Sequence, residues 1–241
     1  MIPVYIISRD RVSLVQALAQ QVELLPGCVP IIIDNASTYE LMTQWLSDCP
    51  YEVVRMTEQQ NDHRSVWWYH LPPPSEFIQK WGQSYYCVSD CDLDIAAVPL
   101  DCIDILKIGL DGKQDIAKCG VSLSLNELHP YWRDQITRWE RRWWKTKEVI
   151  QGYVYYRGMV DTTFALFNVN KGGEYKSVCN ATRPALRAGP PYTAKHIPWY
   201  IHPQQWSEED KYYYSHMDKK ISWTYTHNAA LNPEGIKYVG R

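Results

Sequence analysis

The sequence lacks the glycine-rich motifs that bind phosphate through backbone amides. Neither G-x-G-x-x-G nor G-x-x-x-x-G-K-S/T occurs in its 241 residues. Their absence argues against a dinucleotide-binding Rossmann domain and against a P-loop ATPase or kinase. If the protein binds a nucleotide, side chains or a metal ion must hold the phosphates.

The cysteine pattern, the charge and the lack of long apolar runs exclude further classes. The seven cysteines are odd in number and contain no C-x-x-C pair, which argues against a disulfide framework or a zinc site. A net charge of −2 gives no electrostatic basis for a nucleic-acid partner. The sequence has no signal-peptide pattern and no apolar run of about 18 residues, so we predict a cytoplasmic protein without a transmembrane segment.

Phenylalanine is rare, whereas the amphipathic aromatic residues are abundant. The chain has 3 Phe against 11 Trp and 18 Tyr. Trp and Tyr rings have apolar faces and one hydrogen-bonding group, so they suit flat polar ligands such as sugars and bases. Packing into the core and into surface clefts would explain most of them equally well.

The first 56 residues alternate between strand and helix patterns. Apolar runs typical of strands occur at Pro3–Ile7, Pro30–Ile33 and Tyr51–Met56. Between them, apolar residues at spacings of three and four predict two helices, the second opened by a capping box of Ser37 and Glu40. This alternation predicts an α/β fold with parallel strands whose following loops meet at one edge. The chain length suits one large domain, or one domain with a small lobe.

Further elements are predicted downstream. Asp101–Ile108 has a helical pattern closed by Gly109, and Ala117–Leu125 has a strand pattern. Residues 185–200 are rich in turn formers and aromatic residues. A long irregular segment of this kind is typical of an active-site loop.

A basic, tryptophan-rich helix is predicted between these two regions. Its apolar positions recur at spacings of four, three and four: Trp132, Ile136, Trp139 and Trp143. Its other faces carry cations: Arg138, Arg141, Arg142 and Lys145. Such a helix could contact an anionic acceptor or a membrane surface. We favour a core-facing helix with a solvated basic side, because Glu140 and Glu148 dilute the charge.

Three carboxylates follow a strand pattern in the middle of the chain. The apolar run from Tyr85 to Val88 leads into Asp90, Asp92 and Asp94. Acids at the exit of a parallel strand lie at the edge where α/β folds bind ligands, and like charges this close favour a bound cation. Carboxylate oxygens favour Mg²⁺, Mn²⁺ or Ca²⁺ over Zn²⁺. A solvated acidic surface loop is the alternative.

Other polar residues are predicted to reach the same edge. They are residues 8–11, Asp34–Asn35 and residues 61–64, which follow the first three strands. Asp34 either contacts a nucleotide or only caps the turn before the second helix. Within residues 185–200, Arg187 and Lys195 are candidate phosphate-binding cations or ordinary surface charges. His196 is a candidate metal or sugar ligand, or a structural histidine.

Five segments together resemble the motifs of one enzyme family: residues 6–11 (IISRDR), 33–38 (IDNAST), 88–95 (VSDCDLDI), 161–166 (DTTFAL) and 196–200 (HIPWY). Their order and spacing are similar to those of GT-A glycosyltransferases, especially small family 2-like enzymes such as those encoded by large chlorella viruses. The resemblance covers nearly the whole chain. It implies a Rossmann-like GT-A fold, an α/β/α sandwich with a mixed, mainly parallel central sheet. It also implies a single domain over residues 1–241, with a donor-binding half at about 1–100 and an acceptor-side half at about 101–241.

The resemblance further implies an activity. The enzyme would transfer a sugar from a nucleoside-diphosphate donor, typically a UDP-sugar, to a hydroxyl acceptor on a glycan or another molecule. Asp90 and Asp92 would form the D-x-D pair that holds Mn²⁺ or Mg²⁺, with Asp92 as the direct ligand. Asp94 is a third acid that departs from the family pattern, and Asp94 and His196 are candidate further ligands. Residues expected to bind the donor are Ser8, Arg9, Asp34, Arg64, Asp90 and Arg187.

Asp161 is the candidate general base. An inverting transfer needs a base within hydrogen-bond reach of the acceptor hydroxyl and several ångströms from the metal. Asp161 is distant in sequence from the D-x-D acids, opens an apolar run, and matches the family-like Asp-Thr-Thr-Phe-Ala-Leu motif. A helix N-cap or a structural ion pair is its alternative role.

Two other classes of function stay open. A sugar-nucleotide pyrophosphorylase shares the general architecture, but the glycine-rich loop that such enzymes carry after the first strand is missing. A non-catalytic carbohydrate-binding module could use the Trp and Tyr rings with Ca²⁺ at the acids. Such a module would not need the nucleotide side of the sheet edge.

Overall fold

The computed structural model describes residues 1–60, 66, 70–160, 163–171 and 184–216. Its helices in these ranges are α1 (Val12–Glu23), α2 (Glu40–Ser47), α3 (Pro74–Trp81), α4 (Cys102–Asp111), α5 (Pro130–Glu140) and α6 (Glu208–His216). Short 3₁₀ turns lie at Arg141–Trp144, Ile197–Tyr200 and Pro203–Gln205. The strands are β1 (Ile2–Ser8), β2 (Cys28–Asp34), β3 (Glu52–Arg55), β4 (Tyr85–Asp90), β5 (Leu93–Asp94), β6 (Lys118–Leu123), β7 (Thr146–Ile150), β8 (Tyr153–Arg157), β9 (Ala165–Asn168) and β10 (Ala185–His196).

These strands form one mixed sheet. Their order is β3-β2-β1-β4-β9-β6-β10-β8-β7, and β5 pairs with β10. The strands β3, β2, β1 and β4 run parallel, as do β6 and β10, whereas the other described pairs are antiparallel. The α/β class and the mixed sheet are confirmed. The antiparallel pairs involve β9, which enters between β4 and β6, and the strands β8 and β5, whereas the other described strands of the sheet run in one direction.

Helices cover both faces of the sheet. On β1, Val4 and Ile6 belong to an apolar cluster that includes buried residues of α1, α2, α4 and α5. Between them, Tyr5 belongs to a second cluster, which includes Phe77 of α3. Successive side chains of a strand point to opposite faces, so the two clusters lie on opposite sides of the sheet.

Gly109 lies inside α4 and does not end the helix as the sequence suggested. The helix continues to Asp111. A Cβ atom at position 109 would come within 2.6 Å of Tyr155 Cε1 and 2.7 Å of Cys119 Sγ. The glycine therefore allows α4 to approach β6 and β8 closely, and this packing explains the residue.

Residues 185–200 are not an irregular loop. Ala185–His196 forms β10, between β6 and β8, and a 3₁₀ turn follows. The turn formers Gly189, Pro190 and Pro191 lie where the register with β6 shifts between Ala188 and Thr193. Proline cannot donate to a ladder but is tolerated at a bulge, so the strand continues past these residues.

Among the helices of the described ranges, none is both long enough and apolar enough to cross a bilayer.

Candidate functional site

The carboxyl ends of β2, β1 and β4 form one edge of the sheet. The register aligns Ser8 with Asp34 and Ile7 with Asp90, so Asp34, Ser8 and Asp90 end three neighbouring strands. Beyond β4, the backbone N–H of Cys91 still donates to Ile7 O over 3.1 Å. The prediction that these polar residues meet at one edge is confirmed.

Asp10 joins the loops that follow β1 and β2. Its Oδ1 accepts hydrogen bonds from the backbone N–H groups of Thr38 (2.6 Å) and Tyr39 (2.8 Å), and its own N–H donates to Ser37 Oγ (2.8 Å). Its backbone is left-handed, with φ 55°, a conformation that aspartate adopts more readily than most residues. The predicted capping box is therefore wrong, because Asp10 satisfies the N–H groups ahead of α2 and Ser37 accepts from Asp10.

Asp34 is 4% exposed and has a local partner. Its Oδ1 accepts the backbone N–H of Ser37 over 3.2 Å, so the turn-capping contact considered from the sequence exists. Burial raises the pKa of Asp34, while hydrogen bonds from Ser37 and the charge of Arg55 oppose that rise. Beside it, Asn35 exchanges two hydrogen bonds with the backbone of Gln60, at 2.9 and 2.8 Å. These contacts fix the Asp34 carboxylate at the edge.

Asp92 lies two positions beyond the end of β4 and contacts two residues from distant parts of the chain. Arg11 Nη1 donates to its Oδ2 over 3.0 Å, and His196 Nε2 lies 3.5 Å from its Oδ1. The side chain of Arg11 is 3% exposed and that of Asp92 is 19% exposed. A carboxylate, a guanidinium and an imidazole are thus brought together beside the strand ends.

The guanidinium of Arg11 is enclosed by α6. Its Cζ lies 4.0 Å from the ring centroid of Tyr213 and 5.3 Å from that of Tyr214. Its Nη2 lies 3.7 Å from Asp210 Oδ1. Arginine stays charged in proteins, so these aromatic faces and two carboxylates compensate its burial.

Further contacts hold α6 against the loops of the edge. The buried Glu209 accepts hydrogen bonds from the backbone N–H (3.1 Å) and the hydroxyl of Ser13, in the first turn of α1. Tyr212 reaches the loop after β2, with its hydroxyl 3.1 Å from Thr38 Oγ1. Arg9 donates to His216 O over 2.9 Å.

His196 reaches Asp92 because β10 pairs with the short strand β5. The register aligns His196 with Leu93, and the N–H of Ile197 donates to Asp92 O over 2.9 Å. The ring of Trp199 lies 4.7 Å from the imidazole, centroid to centroid. Burial lowers the pKa of His196, and the negative charge of Asp92 opposes this shift. The lowered pKa favours the neutral imidazole, the form that binds metal ions.

Three buried polar atoms in this cluster have no hydrogen-bond partner among the described residues: Asp92 Oδ1, His196 Nδ1 and Arg11 Nε. A free carboxylate oxygen beside an imidazole suits a divalent cation. In the part of the chain that the structure covers, however, no three His, Cys, Asp or Glu side chains form a metal-binding group. A cation here would take few protein ligands, which agrees with Mg²⁺ sites completed by water and substrate phosphate.

Asp94 is engaged away from this cluster. Its Oδ1 accepts hydrogen bonds from Gln21 Nε2 (3.1 Å) and from the N–H of Ala96 (3.0 Å), and its partner across the ladder is Lys195. These contacts connect β5 to α1. They account for the third acid of the D-x-D-x-D run as a structural residue.

Arg187 and Lys195 both lie on β10 and not on a loop. Arg187 is buried, donates to Glu140 Oε2 over 2.5 Å, and donates through Nε to Met159 O over 2.7 Å. The expectation that Arg187 lies on a loop and closes over the phosphates is corrected by this placement, because its guanidinium already forms a buried ion pair. Lys195 is half-exposed and lies 3.5 Å from Glu127 Oε2.

The remaining donor-side predictions have mixed outcomes. Ser8 is buried at the end of β1, and its Oγ has no hydrogen-bond partner among the described residues. Arg9 lies at the edge, with Nε 3.3 Å from Asp10 Oδ2. Arg64 and Asp161, together with residues 61–63, lie outside the described residues. Their roles remain those that the sequence suggested.

Sequence reasoning missed Arg11 and the whole contribution of α6. Arg11 belongs to the quoted IISRDR segment, and a second arginine in a turn at a sheet edge was the available signal. No such signal marked Asp210 and Tyr213, because the segment around them has no amphipathic pattern that indicates docking.

Comparison with protein-family models gives no match, and comparison with curated proteins gives none either.

Proposed function

We propose that this protein is a metal-dependent glycosyltransferase of the GT-A type. It transfers a sugar from a nucleoside-diphosphate donor, a UDP-sugar in our proposal, to a hydroxyl acceptor with inversion of configuration. One observation carries the proposal: the strand ends with Ser8, Asp34 and Asp90 adjoin the cluster of Asp92, Arg11 and His196. Polar side chains for a nucleoside and a cation-binding carboxylate are two features that such a donor requires.

The strand ends suit the nucleoside part of the donor. Side chains must do the binding, since the chain lacks a glycine-rich phosphate loop. In this proposal Asp34 accepts a hydrogen bond from the uracil N–H or from a ribose hydroxyl. Ser8 and Arg9 line the same edge, and Asp90 ends the neighbouring strand.

The cluster suits the diphosphate part. A bound Mn²⁺ or Mg²⁺ would supply positive charge that neutralises the leaving diphosphate. Asp92 Oδ1 and His196 are the described groups that would hold the ion, with Asp90 as the other D-x-D carboxylate. Arg11 fixes the orientation of Asp92 by binding its Oδ2 and adds positive charge beside the phosphates.

Asp161 is the proposed general base, on the grounds of its sequence context. It would accept the proton of the attacking hydroxyl while the bond between the sugar and the diphosphate breaks. The described β9 begins at Ala165, shortly after Asp161, and pairs with β4 on one side and β6 on the other. Asp161 therefore leads into a strand in the middle of the sheet.

The experiment is a screen of nucleotide sugars for release of UDP in the presence of mixed sugar acceptors, with Mn²⁺ and with EDTA. We expect release that requires both the cation and an acceptor. Isothermal calorimetry with UDP separates the alternatives. A carbohydrate-binding module would ignore UDP with or without Mn²⁺, whereas a pyrophosphorylase would form nucleotide sugar from a sugar phosphate and a nucleoside triphosphate.

A further inference from the structure

A surface outside the site combines exposed cations with exposed apolar side chains. It begins on α5, continues through the 3₁₀ turn Arg141–Trp144 and ends on the edge strand β7. We call it the basic surface and define it by six exposed residues: Arg138, Trp139, Arg141, Arg142, Lys145 and Lys147. The sequence predicted a basic side for this helix, but it placed Trp139 among the core-facing residues.

The structure divides the helix differently from that prediction. Trp132, Ile136 and Glu140 form the buried side of α5, whereas Trp139 is 42% exposed. The guanidinium of Arg142 lies over the Trp139 ring, with Cζ 3.4 Å from the ring centroid. The indole therefore belongs to the cationic face, next to the arginines and not in the core.

Glu140 and Glu148, the acids that were expected to dilute this charge, form ion pairs with residues outside the basic surface. Glu140 points inward and forms its ion pair with Arg187. Glu148 binds Arg157 Nε at 2.6 Å and Lys113 Nζ at 3.2 Å. Among the described residues, none of the five cations of the basic surface forms an ion pair, and Asp134 is the acid that remains exposed on α5. The surface therefore keeps a local excess of positive charge although the whole chain has a net charge of −2.

Apolar side chains extend the same surface. Val149 on β7 is 61% exposed and lies two residues from Lys147, so both side chains are on the same face of the strand. Its partner across the β7–β8 ladder, Val154, shares this face and is partly exposed. A basic face that contacts only water does not require exposed apolar residues among its cations. Single-stranded nucleic acid would stack its bases on the aromatic rings but would not contact an aliphatic side chain such as Val149.

We propose that the basic surface binds the face of a lipid bilayer that contains anionic phospholipids. Arginine and lysine side chains attract anionic headgroups, and the ring of a tryptophan such as Trp139 favours the boundary between headgroups and acyl chains. Val149 would enter the same boundary. The association is peripheral, as for amphipathic surfaces that lie in the plane of the interface.

Binding there would also orient the site. The helix α5 is tied to the segment after β10 by Trp132 Nε1, which donates to Ile201 O over 2.8 Å, and by the N–H of His129, which donates to Trp199 O over 3.2 Å. The same segment begins directly after His196. A membrane bound at α5 would therefore hold the cluster of Asp92 and His196 at a fixed distance from its surface.

The test is co-sedimentation of the full chain with vesicles of phosphatidylcholine alone and of phosphatidylcholine mixed with phosphatidylglycerol. We expect binding to the anionic vesicles only, weakened by added salt because exposed charges are screened. The double variant Arg138→Gln/Arg142→Gln should bind about 25-fold more weakly, since one cation near such a surface contributes about fivefold. The matched control Lys80→Gln/Lys107→Gln removes one exposed and one partly exposed cation that lie elsewhere, and it should bind like the wild type.

A second variant tests the apolar part. Trp139→Gln keeps every charge and should lower binding to anionic vesicles also at high salt, where the electrostatic contribution is small. Equal binding to both kinds of vesicle, or equal loss in both double variants, would overturn the proposal. So would tighter binding of a single-stranded oligonucleotide that depends on the same residues. Circular dichroism of each variant shows whether weaker binding comes from the replaced side chain or from unfolding. The salt series is measured on the wild type and does not depend on any variant.

Discussion

Arg11 Nη1 lies 3.0 Å from Asp92 Oδ2, although 81 positions separate the two residues. The pair joins the loop after β1 to the segment after β4, so the two loops cannot move independently. It also places a buried positive charge beside the carboxylate proposed to bind a cation. Arg11 and a divalent ion would thus compensate the same acid, Arg11 through Oδ2 and the ion through Oδ1.

The first prediction concerns stability. Replacing Arg11 with Gln leaves Asp92 without its cationic partner, and we expect the free energy of unfolding to fall by about 1–3 kcal/mol. Urea denaturation measures the change. Lys107→Gln, which removes the partly exposed partner of the exposed Asp104, should change the stability by less than about 1 kcal/mol.

Added Mn²⁺ sharpens this test. Because the ion would replace the missing positive charge, it should stabilise Arg11→Gln more than the wild type. If Mn²⁺ shifts neither protein, Asp92 does not bind the ion in the absence of nucleotide.

The second prediction concerns the cation. Asp92→Asn should lower the Mn²⁺-dependent affinity for UDP at least tenfold, because one direct ligand is weakened. Calorimetry with UDP, with and without Mn²⁺, measures it. Asp94→Asn is the comparison, and we expect it to retain binding since Asp94 contacts Gln21 and Ala96. Undiminished Mn²⁺-dependent turnover by Asp92→Asn would remove the central element of the proposed function.

The third prediction concerns base selection. If Asp34 accepts a hydrogen bond from uracil, UDP should bind more tightly than ADP, and Asp34→Asn should reduce that preference by roughly tenfold to a hundredfold. Competition binding with the two nucleotides measures the preference. Thermal unfolding of the variant checks the loop, because Asn also loses part of the Ser37 contact. Equal affinities of the wild type for UDP and ADP would leave Asp34 with the turn-capping role alone.

The fourth prediction assigns the base. Asp161→Asn should retain UDP and Mn²⁺ binding but lose about two to four decades of transfer rate, the usual effect of removing a general base. The anomeric configuration of the product, determined by NMR, should be opposite to that of the donor. Retention of configuration, or near-normal transfer by the variant, would make Asp161 a structural residue.

The fifth prediction is a pH dependence away from the site. Hydrogen bonds from Arg157 hold the pKa of Glu148 below its usual value of 4.5, against an opposing effect of burial. Because the pKa is lowered in the folded state, ionised Glu148 stabilises the protein when the pH is above the usual pKa. This stabilisation is lost as the pH falls below that pKa. At neutral pH, Glu148→Gln should be less stable than the wild type by about 1 kcal/mol.

This difference should shrink as the pH is lowered through 4.5 and below, where wild-type Glu148 becomes protonated and resembles glutamine. Urea denaturation at a series of pH values follows the change. Glu58→Gln, at an exposed position of the described chain, should show no comparable trend. A constant difference across the series would mean that the charge of Glu148 does not contribute.

The first half of the fold could be predicted because its signals are local. Apolar runs and helical spacings up to residue 56 predict β1, α1, β2, α2 and β3, and parallel pairing then brings Ser8, Asp34 and Asp90 to one edge. The strand β10 was missed because Gly189, Pro190 and Pro191 are turn signals, and the sheet accommodates them in a register shift. Tertiary pairing overrode the local preference.

The site could be predicted only for residues that lie at the ends of parallel strands. The cluster around Asp92 depends on contacts between distant segments, and no sequence pattern indicates that Arg11 reaches Asp92 or that α6 covers it. Arg187 shows the converse error. A cation near glycine and proline residues was expected on a loop, but its partner Glu140 on α5 retains it in the core.

The contacts of α6 have a consequence for synthesis of the chain. Arg11 and Asp210 are separated by about 200 positions, so at ribosomal speed roughly 10–40 s pass between their appearance. During that interval β1 to β4 can already pair, while the guanidinium of Arg11 still lacks Tyr213 and Asp210. A released chain that ends ahead of Glu208 would contain every described strand but would leave this edge uncovered. Folding of the site would therefore wait for the segment that forms α6.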